Sequence, residues 1–317
     1  MRHGGRRIRS DTTWQAERVT RQPLRLAILD ATRTLEDAGV PSPRTDAELL
    51  AAHVVGVDRG RLGLIPLVDP DVIETYRGLV ARRAERIPLQ HITGVAAIGA
   101  IDLAVGPGVF VPRPETELLL AWAIAVLEAT PTRPPVVLDL CTGSGALALA
   151  IAQARPDAVV HAVELETAAL AWARRNADTR AAMGDTPIVL HHGDVTDRAL
   201  LPDLEGGVDL VVSNPPYIPV GAQLEPEVAD HDPSTALFGG PDGLSVITPM
   251  VSNIARWLRI GGALAIEHDD SNGAQVAALL RERRVFGEVS EHNDLAGKPR
   301  FVVARRVATA TEAARGH

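Results

Sequence analysis

Apolar residues recur at helical spacing through the first part of the chain, and proline or an acidic residue marks where several of these stretches begin. One stretch stops at Gly39 with Pro41 after it, which is typical of a helix end, and Asp69-Pro70 is typical of a helix start. The pattern therefore predicts a small helical domain over residues 21–90. Its three helices are expected at 24–38, from Thr45 or Asp46 onward, and from Asp69 to Arg83.

The pattern changes between residues 91 and 113, where two short β-rich runs are separated by glycines. Val and Ile favour strands, whereas Gly allows the tight turns that join them. The runs at 95–98 and 101–105 therefore predict a β-hairpin, which we interpret as a linker over residues 91–113.

Helical and strand patterns alternate from residue 114 to 307. Such alternation is typical of an α/β domain in which crossover connections build a mostly parallel sheet covered by helices on both faces. The last two strands have no helix between them and are expected to pair antiparallel at one edge. Seven strands are predicted at 136–140, 158–164, 187–191, 208–213, 262–267, and near 285–290 and 300–306, with helices up to about 128 and at 145–154, 167–178, 243–258 and 273–283.

Composition narrows the class of protein. The chain has 317 residues, of which 46% are hydrophobic, and this composition is typical of a soluble globular protein. Its length provides enough core for one large or two ordinary domains. The net charge of −8 argues against a whole-surface nucleic-acid or membrane binder, although a local basic patch stays compatible with it. The residues at 1–20 and 308–317 are expected to be disordered tails.

The cysteine content and the hydropathy of the chain indicate the cellular compartment in which the protein is expected. Cys141 is the single cysteine, which excludes an internal disulfide and a cysteine-based zinc site and favours a reducing cytoplasm. No apolar run reaches the roughly 20 residues that span a bilayer. We therefore expect a cytoplasmic protein with no membrane partner, and we predict no metal site.

Two consecutive prolines follow Asn214 where the buried strand 208–213 ends. Pro215 and Pro216 have no N–H and a fixed φ, so the backbone carbonyls there face outward as acceptors. Asn214 can both accept and donate, and the Tyr217 ring can cover a planar group. Because ligands of open α/β sheets bind at the carboxyl ends of strands, this loop is suited to hold a flat NH2 group. A rigid strand-to-loop turn is the alternative interpretation.

The first strand of the sheet runs into a glycine-rich turn before an apolar helix. Glycines let the backbone approach a ligand closely, and the helix N-terminus adds the positive end of a dipole. Glu164 ends the next strand about 20 residues further on, where an acidic residue hydrogen-bonds ribose hydroxyls. Asp194 and Val195 follow the third strand and would line an adenine, unless Asp194 is only a turn residue. The turn itself comprises Asp139, Leu140, Cys141, Thr142, Gly143, Ser144 and Gly145.

Two cofactors fit this arrangement, a dinucleotide and S-adenosyl-L-methionine. Ala148 occupies the position of the third glycine in the dinucleotide-binding pattern. Because alanine is tolerated there, this position does not decide between the two cofactors. The Asp139 carboxylate is unfavourable beside a pyrophosphate but suits a ligand with a cationic amino-acid end and a sulfonium. The sequence therefore favours the methyl donor. A dinucleotide oxidoreductase and a non-catalytic cofactor-binding regulator stay open as alternatives.

Six blocks of the chain, spread in order over most of residues 24–306, resemble the release-factor glutamine methyltransferase family. These are class I, Rossmann-like methyltransferases that methylate the glutamine amide in the Gly-Gly-Gln motif of peptide-chain release factors. The block at 110–117, with its Pro-Arg-Pro-Glu-Thr-Glu run, is the most specific, because neither a generic methyltransferase nor a dehydrogenase needs it. The others lie at 82–94, 139–152, 214–218, 236–244 and 294–300.

The resemblance implies roles for individual residues. Asn214, Pro215 and Tyr217 would be catalytic, and together with Pro216 they would bind the substrate glutamine. Arg113 and Glu115 would lie near the mouth of the active site, or would form a plain salt bridge. The residues expected to bind the cofactor are Asp139, Cys141, Thr142, Gly143, Ser144, Gly145, Glu164, Asp194, Val195 and Asn214.

The chain departs from the family pattern at three places. Glu164 replaces the more usual Asp, and Val195 stands where some members carry an aromatic residue. The run from Glu267 to Asp270 departs from the usual Glu-Ile-Gly, and the sequence offers no functional account of it.

Three substrates compete in this interpretation. A release factor is favoured, a large-subunit ribosomal protein is the nearest alternative, and the helical domain at 21–90 is where that choice would be made. Methylation of the adenine amine in DNA is less favoured, because duplex DNA needs cations near the site and no Lys or Arg lies between Arg198 and Arg256. We expect a monomer that needs no nucleic acid.

Overall fold

The structure, a computed structural model, describes residues 20–129, 134–294 and 297–309. The predicted tails therefore lie almost wholly outside the described residues, as do Leu295 and Ala296 of the last motif block. The chain divides into two compact units between Arg86 and Ile87. In the part of the chain that the structure describes, no helix is both long and apolar enough to cross a membrane.

The first unit contains the three predicted helices. The second of them begins at Pro43, slightly before the predicted start, because proline is well accepted in the first turn of a helix. Two paired strands of two residues each were not predicted, since so short a segment shows no periodicity. The elements are β1 (Gln22–Pro23), α1 (Leu24–Asp37), α2 (Pro43–Val55), a 3-10 helix (Arg59–Leu64), β2 (Leu67–Val68) and α3 (Pro70–Ala84).

Apolar side chains from all three helices form the core of this unit. Leu35, Leu50 and Ile73 are almost fully buried, and the buried Tyr76 donates its hydroxyl to the Ala47 carbonyl at 2.9 Å. The helices are therefore stabilised mainly by their packing, as is usual for segments of this length.

The second unit is built on a seven-stranded sheet in the order β10-β11-β9-β8-β5-β6-β7. Strands β5 to β9 run parallel, whereas β11 is antiparallel to both β9 and β10. The predicted α/β class I methyltransferase fold and its antiparallel closing pair are confirmed. The strands are β3 (Val95–Ile98), β4 (Ile101–Ala104), β5 (Val136–Leu140), β6 (Val159–Glu164), β7 (Val189–His192), β8 (Val208–Ser213), β9 (Leu258–Glu267), β10 (Phe286–Asn293) and β11 (Pro299–Arg306).

Helices cover both faces of this sheet. One buried cluster joins α5 and α6 to the sheet, and a second cluster joins α10 and α11 to the opposite face, with Trp257 fully buried within it. Three short helices, α4, α8 and α9, were not predicted. The helices of this unit are α4 (Leu89–Thr93), α5 (Thr116–Glu128), α6 (Ala146–Ala154), α7 (Thr167–Ala182), α8 (Pro226–His231), α9 (Ser234–Leu237), α10 (Ile247–Trp257) and α11 (Gly273–Glu282), with a 3-10 turn at Pro202–Leu204.

The predicted hairpin forms, but the structure corrects its interpretation as a separate linker over 91–113. Ile98, Ile101 and Leu103 are buried in the same cluster as the residues of α5 and α6. The backbone N–H of Gly99 donates to the Glu117 carboxylate at 2.9 Å. The hairpin is therefore part of the second unit, because its apolar face packs into that unit's core.

A buried asparagine joins this hairpin to the glycine-rich turn. Asn176 in α7 accepts a hydrogen bond from the Ala104 N–H at 2.8 Å and donates to the Ala104 carbonyl at 3.0 Å and the Ser144 carbonyl at 2.9 Å. All three of these hydrogen bonds are to backbone groups, so Asn176 fixes the turn relative to the hairpin.

Asn176→Ala is expected to lower the free energy of unfolding by about 3 kcal/mol, because buried backbone groups lose their partners. Asp178→Ala, on the exposed side of the same helix, is the matched control and should change it by less than about 0.5 kcal/mol. Urea unfolding of both variants measures the difference. Equal effects would contradict the role given to Asn176.

Candidate active site

A cavity of about 580 Å³ opens at the carboxyl ends of β5, β6 and β8, within the range typical of small-molecule sites. This edge of a parallel sheet is where the sequence predicts ligand binding. The structure brings most of the predicted residues to the cavity wall. They are Asp139, Cys141, Thr142, Gly143, Ser144, Glu164, Asp194, Val195, Asn214 and Pro216.

The turn between β5 and α6 has a tightly curved backbone. Cys141, Gly143 and Gly145 have φ of 60°, 60° and 85°, in the left-handed region that favours glycine. Gly145 does not line the cavity; it precedes α6, and a Cβ there would lie 3.1 Å from the Leu149 side chain. The turn thus presents Thr142, Gly143 and Ser144 to the cavity while Gly145 begins the helix.

Asp139 is the buried anchor of this turn. Its Oδ2 accepts hydrogen bonds from Thr142 Oγ1 at 2.5 Å and from the Ala148 N–H at 3.1 Å. Its Oδ1 is buried and has no hydrogen-bond partner among the described residues. Burial raises the pKa of Asp139 to about 7.

Glu164 is a second buried carboxyl group on the same wall. Its two oxygens accept hydrogen bonds from the Gly143 N–H at 2.8 Å and the Glu166 N–H at 2.9 Å. Burial raises the pKa of Glu164 despite these bonds. Two carboxyl groups in a mainly apolar cavity favour a ligand with positive charge, since opposite charge stabilises the ionised form of both. The unpartnered Asp139 oxygen and this charge fit S-adenosylmethionine better than a pyrophosphate.

Asp194 and Val195 reach the cavity at the end of β7. Asp194 Oδ1 accepts from the Thr196 N–H at 2.8 Å and from Thr196 Oγ1 at 2.7 Å, so this residue also forms the predicted alternative, a turn. Val195 is buried, and its carbonyl accepts from Asn253 Nδ2 at 2.9 Å.

Asn214 follows β8 and is hydrogen-bonded to Thr116, which in turn is hydrogen-bonded to Glu267. Its Nδ2 donates to Thr116 Oγ1 at 3.3 Å, and Thr116 Oγ1 donates to Glu267 Oε2 at 2.9 Å. The Tyr217 hydroxyl donates to the other oxygen, Glu267 Oε1, at 3.1 Å. Pro215 is buried, and neither Pro215 nor Tyr217 lines the cavity. Burial raises the pKa of Glu267 to about 7 and raises that of Tyr217.

The motif block at 236–244 packs beside this loop. The Ile218 N–H donates to the Leu237 carbonyl, and the Gly239 N–H donates to the Ile218 carbonyl, both at 2.9 Å. Gly243 has a φ of 78°, and a Cβ there would lie 2.1 Å from the Tyr217 carbonyl oxygen. The glycines of the block are therefore needed for close contact with the loop from Asn214 to Tyr217.

Arg113 and Glu115 form ion pairs and do not line the cavity. Arg113 pairs with the buried Asp232, and its guanidinium lies 4.9 Å from the centre of the Phe110 ring. Glu115 Oε1 lies 3.8 Å from Arg300. Each residue therefore forms an ion pair with a partner outside the linker, rather than with the other, and their place near the mouth of the active site stays a prediction.

Several cavity residues were not singled out from the sequence. Thr116 and Phe110 belong to the block at 110–117, and Ala236 and Phe238 belong to the block at 236–244. Their membership of motif blocks was the available signal, but a hydroxyl group and aromatic rings do not by themselves indicate a binding role in the sequence.

Comparisons with known proteins bear directly on this site. A family model described as the PrmC N-terminal domain matches residues 27–94, and one described as the methyltransferase small domain matches residues 115–231. The release factor glutamine methyltransferase of Mycolicibacterium smegmatis is 57% identical over 285 residues, covering 90% of this chain and 98% of that protein. The chain belongs to the release factor glutamine methyltransferase family.

Further relatives agree with this assignment. The release factor glutamine methyltransferase of Streptomyces coelicolor is 50% identical, covering 88% of this chain and 96% of that protein. Among solved structures, a 16S rRNA methyltransferase of T. thermophilus in complex with AdoMet and guanosine is 26% identical with a TM-score of 0.49, covering 67% of this chain and 49% of that chain. The family assignment confirms the resemblance, the enzyme class and the S-adenosylmethionine cofactor predicted from the sequence.

Asp139→Asn tests the buried carboxyl group. A carboxyl group whose pKa is higher in the folded chain than in the unfolded chain makes the fold less stable as the pH rises from the unfolded-state pKa toward about 7. The neutral amide of asparagine does not ionise and so avoids this loss. The stability of Asp139→Asn relative to the original chain should therefore grow by about 2 kcal/mol between pH 5 and pH 8. Urea unfolding without cofactor measures it.

The same substitution should weaken S-adenosylmethionine binding about tenfold or more, because the ligand's positive charge loses its partner. Calorimetric titration at pH 8 measures this change. Unchanged affinity together with an unchanged pH dependence of stability would show that Asp139 is not an ionising residue of the site.

Proposed function

We propose that this methyltransferase modifies the side-chain amide of the glutamine in the Gly-Gly-Gln motif of a peptide-chain release factor. The shared name of the relatives supports a release factor glutamine as the acceptor. The observation that carries the proposal is the Asn214 side chain at the cavity wall, whose Nδ2 bonds to Thr116 while Oδ1 has no partner among the described residues. A free amide oxygen beside a methyl-donor site suits the capture of an N–H group.

The residues at 139–145 and Glu164 would hold the cofactor. When bound, S-adenosylmethionine supplies an electrophilic methyl group on a sulfonium. Asp139 would face the cationic end through its unpartnered Oδ1, and Glu164 would accept from ribose hydroxyls with its remaining lone pairs. Asp194 and Val195 would line the adenine.

An amide nitrogen is a poor nucleophile, because its lone pair takes part in the resonance that gives a rotation barrier of about 18 to 20 kcal/mol. The Asn214 Oδ1 at the cavity wall would accept one N–H bond of the substrate amide and so orient its nitrogen. The Pro215 carbonyl, predicted from the sequence to accept the second N–H, is set back from the cavity wall and would have to become accessible when the substrate binds. Tyr217, predicted from the sequence to pack against the amide plane, also lies outside the cavity wall; with its hydroxyl held by Glu267, it would support the loop that carries Asn214. No strong base is needed before transfer, because the proton can leave afterward. The rate gain is then due to positioning and exclusion of water.

Acidic residues after the loop support a protein substrate over DNA. The sequence between Arg198 and Arg256 contains Glu225, Glu227 and Asp230 but no Lys or Arg, whereas DNA would require cations near the site. The helical unit before Arg86 would select between a release factor and a large-subunit ribosomal protein. The cytoplasm and the monomeric state stay predictions.

Incubation with labelled S-adenosylmethionine and a purified release factor should label the factor. The Gln→Ala variant of its Gly-Gly-Gln motif, large-subunit ribosomal proteins and adenine-containing duplex DNA should stay unlabelled under the same conditions. Label on the ribosomal protein or the DNA alone would replace the proposed substrate, and label on none would reject a methyltransferase for these acceptors.

Asn214→Ala should abolish turnover while S-adenosylmethionine binding changes by less than about threefold, because the lost contact is mainly to the acceptor amide. Gln223→Ala, an exposed amide in the same connection, is the matched control and should keep full activity. Single-turnover methylation and calorimetry measure the two effects. Near-normal turnover of Asn214→Ala would show that Asn214 does not bind the acceptor.

A further inference from the structure

Glu267 ends β9 in a buried position, with only 2% of its surface exposed. Its side chain touches two segments that are far away in sequence, Thr116 at the start of α5 and Tyr217 in the loop after β8. Both contacts are hydrogen bonds in which a neutral hydroxyl group donates to the carboxylate. Glu267 itself does not line the cavity, so it can influence the reaction only through these neighbours.

The number of hydrogens on each group determines the direction of the bonds. A carboxylate only accepts, and a threonine hydroxyl has one hydrogen to donate. Because Thr116 gives that hydrogen to Glu267 Oε2, its oxygen can only accept from a third group. Asn214 must therefore turn its NH2 toward Thr116, as observed at 3.3 Å, and its Oδ1 away from it.

We propose that Glu267 and Thr116 are positioning residues that fix the orientation of the Asn214 amide, so that Oδ1 rather than NH2 is offered to the acceptor glutamine. The proposal rests on the proposed function, because the acceptor's amide nitrogen needs an acceptor at that place. An asparagine side chain has nearly the same shape in its two orientations, so shape alone cannot select one. The series of hydrogen bonds from Asn214 through Thr116 to Glu267 selects one of the two orientations of the Asn214 amide.

The protonation state of Glu267 enters the same argument. A protonated carboxyl can donate to Thr116, whose hydrogen would then be free to point at Asn214 and favour the inverted amide. The groups that face Glu267 are Tyr217, Glu115, whose charge raises its pKa, and Arg300, whose charge lowers it. With burial raising the pKa to about 7, the accepting form predominates above that pH and is lost below it.

Glu267→Gln tests the inference, because it keeps the shape but replaces one accepting oxygen with a donor. At saturating cofactor and release factor, kcat should fall about 10- to 100-fold while both KM values change by less than about threefold. The acid limb of the pH profile of kcat near pH 7 should disappear in the variant. Unchanged kcat, or an unchanged acid limb, would overturn the inference while leaving the proposed function in place, provided the original chain labels the factor.

Thr116 offers a matched pair if Glu267→Gln does not fold. Thr116→Val removes the hydroxyl at nearly constant volume, whereas Thr116→Ser keeps it. The valine variant should lose kcat to a similar extent, and the serine variant should stay within about threefold of the original chain. Equal kcat for the two variants would contradict the inference.

A measurement without substrate makes the inference independent of any activity. In protein with 15N-labelled asparagine, the side-chain NH2 signals of Asn214 are those missing from Asn214→Ala. Their chemical shifts and hydrogen-exchange rates should change in Thr116→Val and Glu267→Gln but not in Thr116→Ser. Signals that are the same in all three variants would show that neither residue orients the Asn214 amide, whatever the outcome of the methylation assay.

Discussion

The site depends on burying carboxyl groups at the carboxyl edge of one sheet. Asp139 lies near the end of β5, Glu164 ends β6 and Glu267 ends β9, and burial raises the pKa of all three. Their hydrogen bonds come from hydroxyl and backbone N–H groups, which stabilise a carboxylate less than a cation would. Because such bonds do not offset the full cost of burying the charge, Asp139 and Glu164 favour a positively charged ligand. Glu267 can only accept hydrogen bonds, so it fixes the direction in which its donors point.

The hydrogen bonds around Glu267 join distant parts of the chain. Thr116 is separated from Glu267 by 151 residues, and Asn214 is separated from Thr116 by 98 residues. The parallel sheet makes this possible, since consecutive crossover connections return every strand end to the same edge. The block at 236–244 then fixes the loop after β8 through backbone bonds and glycines that allow close approach. Folding of the second unit and assembly of the site are thus the same event.

Alternating periodicity was enough to predict the seven strands, their mostly parallel pairing and the glycine-rich turn. It could not predict α8 and α9, which are too short to show a helical period, or that the β3–β4 hairpin belongs to the second unit. A pattern shows which face of a strand is apolar but not what covers it. Ile98 and Leu103 are apolar in either case, and only the structure shows α5 and α6 packed against them.

The site was predicted unevenly for a similar reason. Residues next to one another in a motif, such as Thr142 and Gly143, were found together at the cavity wall. Thr116 was missed because its importance comes from contacts with Asn214 and Glu267, which local sequence does not reveal. His268, which departs from the family pattern, is fully buried, and its ring leaves no room for a Cβ at Gly273 at the start of α11.

The buried acids are expected to lower the stability of the cofactor-free chain at neutral pH. A carboxyl group whose pKa lies near 7 is only partly ionised there, and each step toward full ionisation costs stability that a solvent-exposed Asp would not lose. Replacing Asp139 by a neutral residue would remove this cost together with the charge that attracts a cation. A carboxyl group needed only for structure would have both oxygens satisfied, whereas Asp139 keeps an unpartnered Oδ1. The fold therefore retains the charge that attracts a cation, at a cost in stability. A positively charged ligand bound beside this oxygen would therefore reduce the cost of burying the carboxylate.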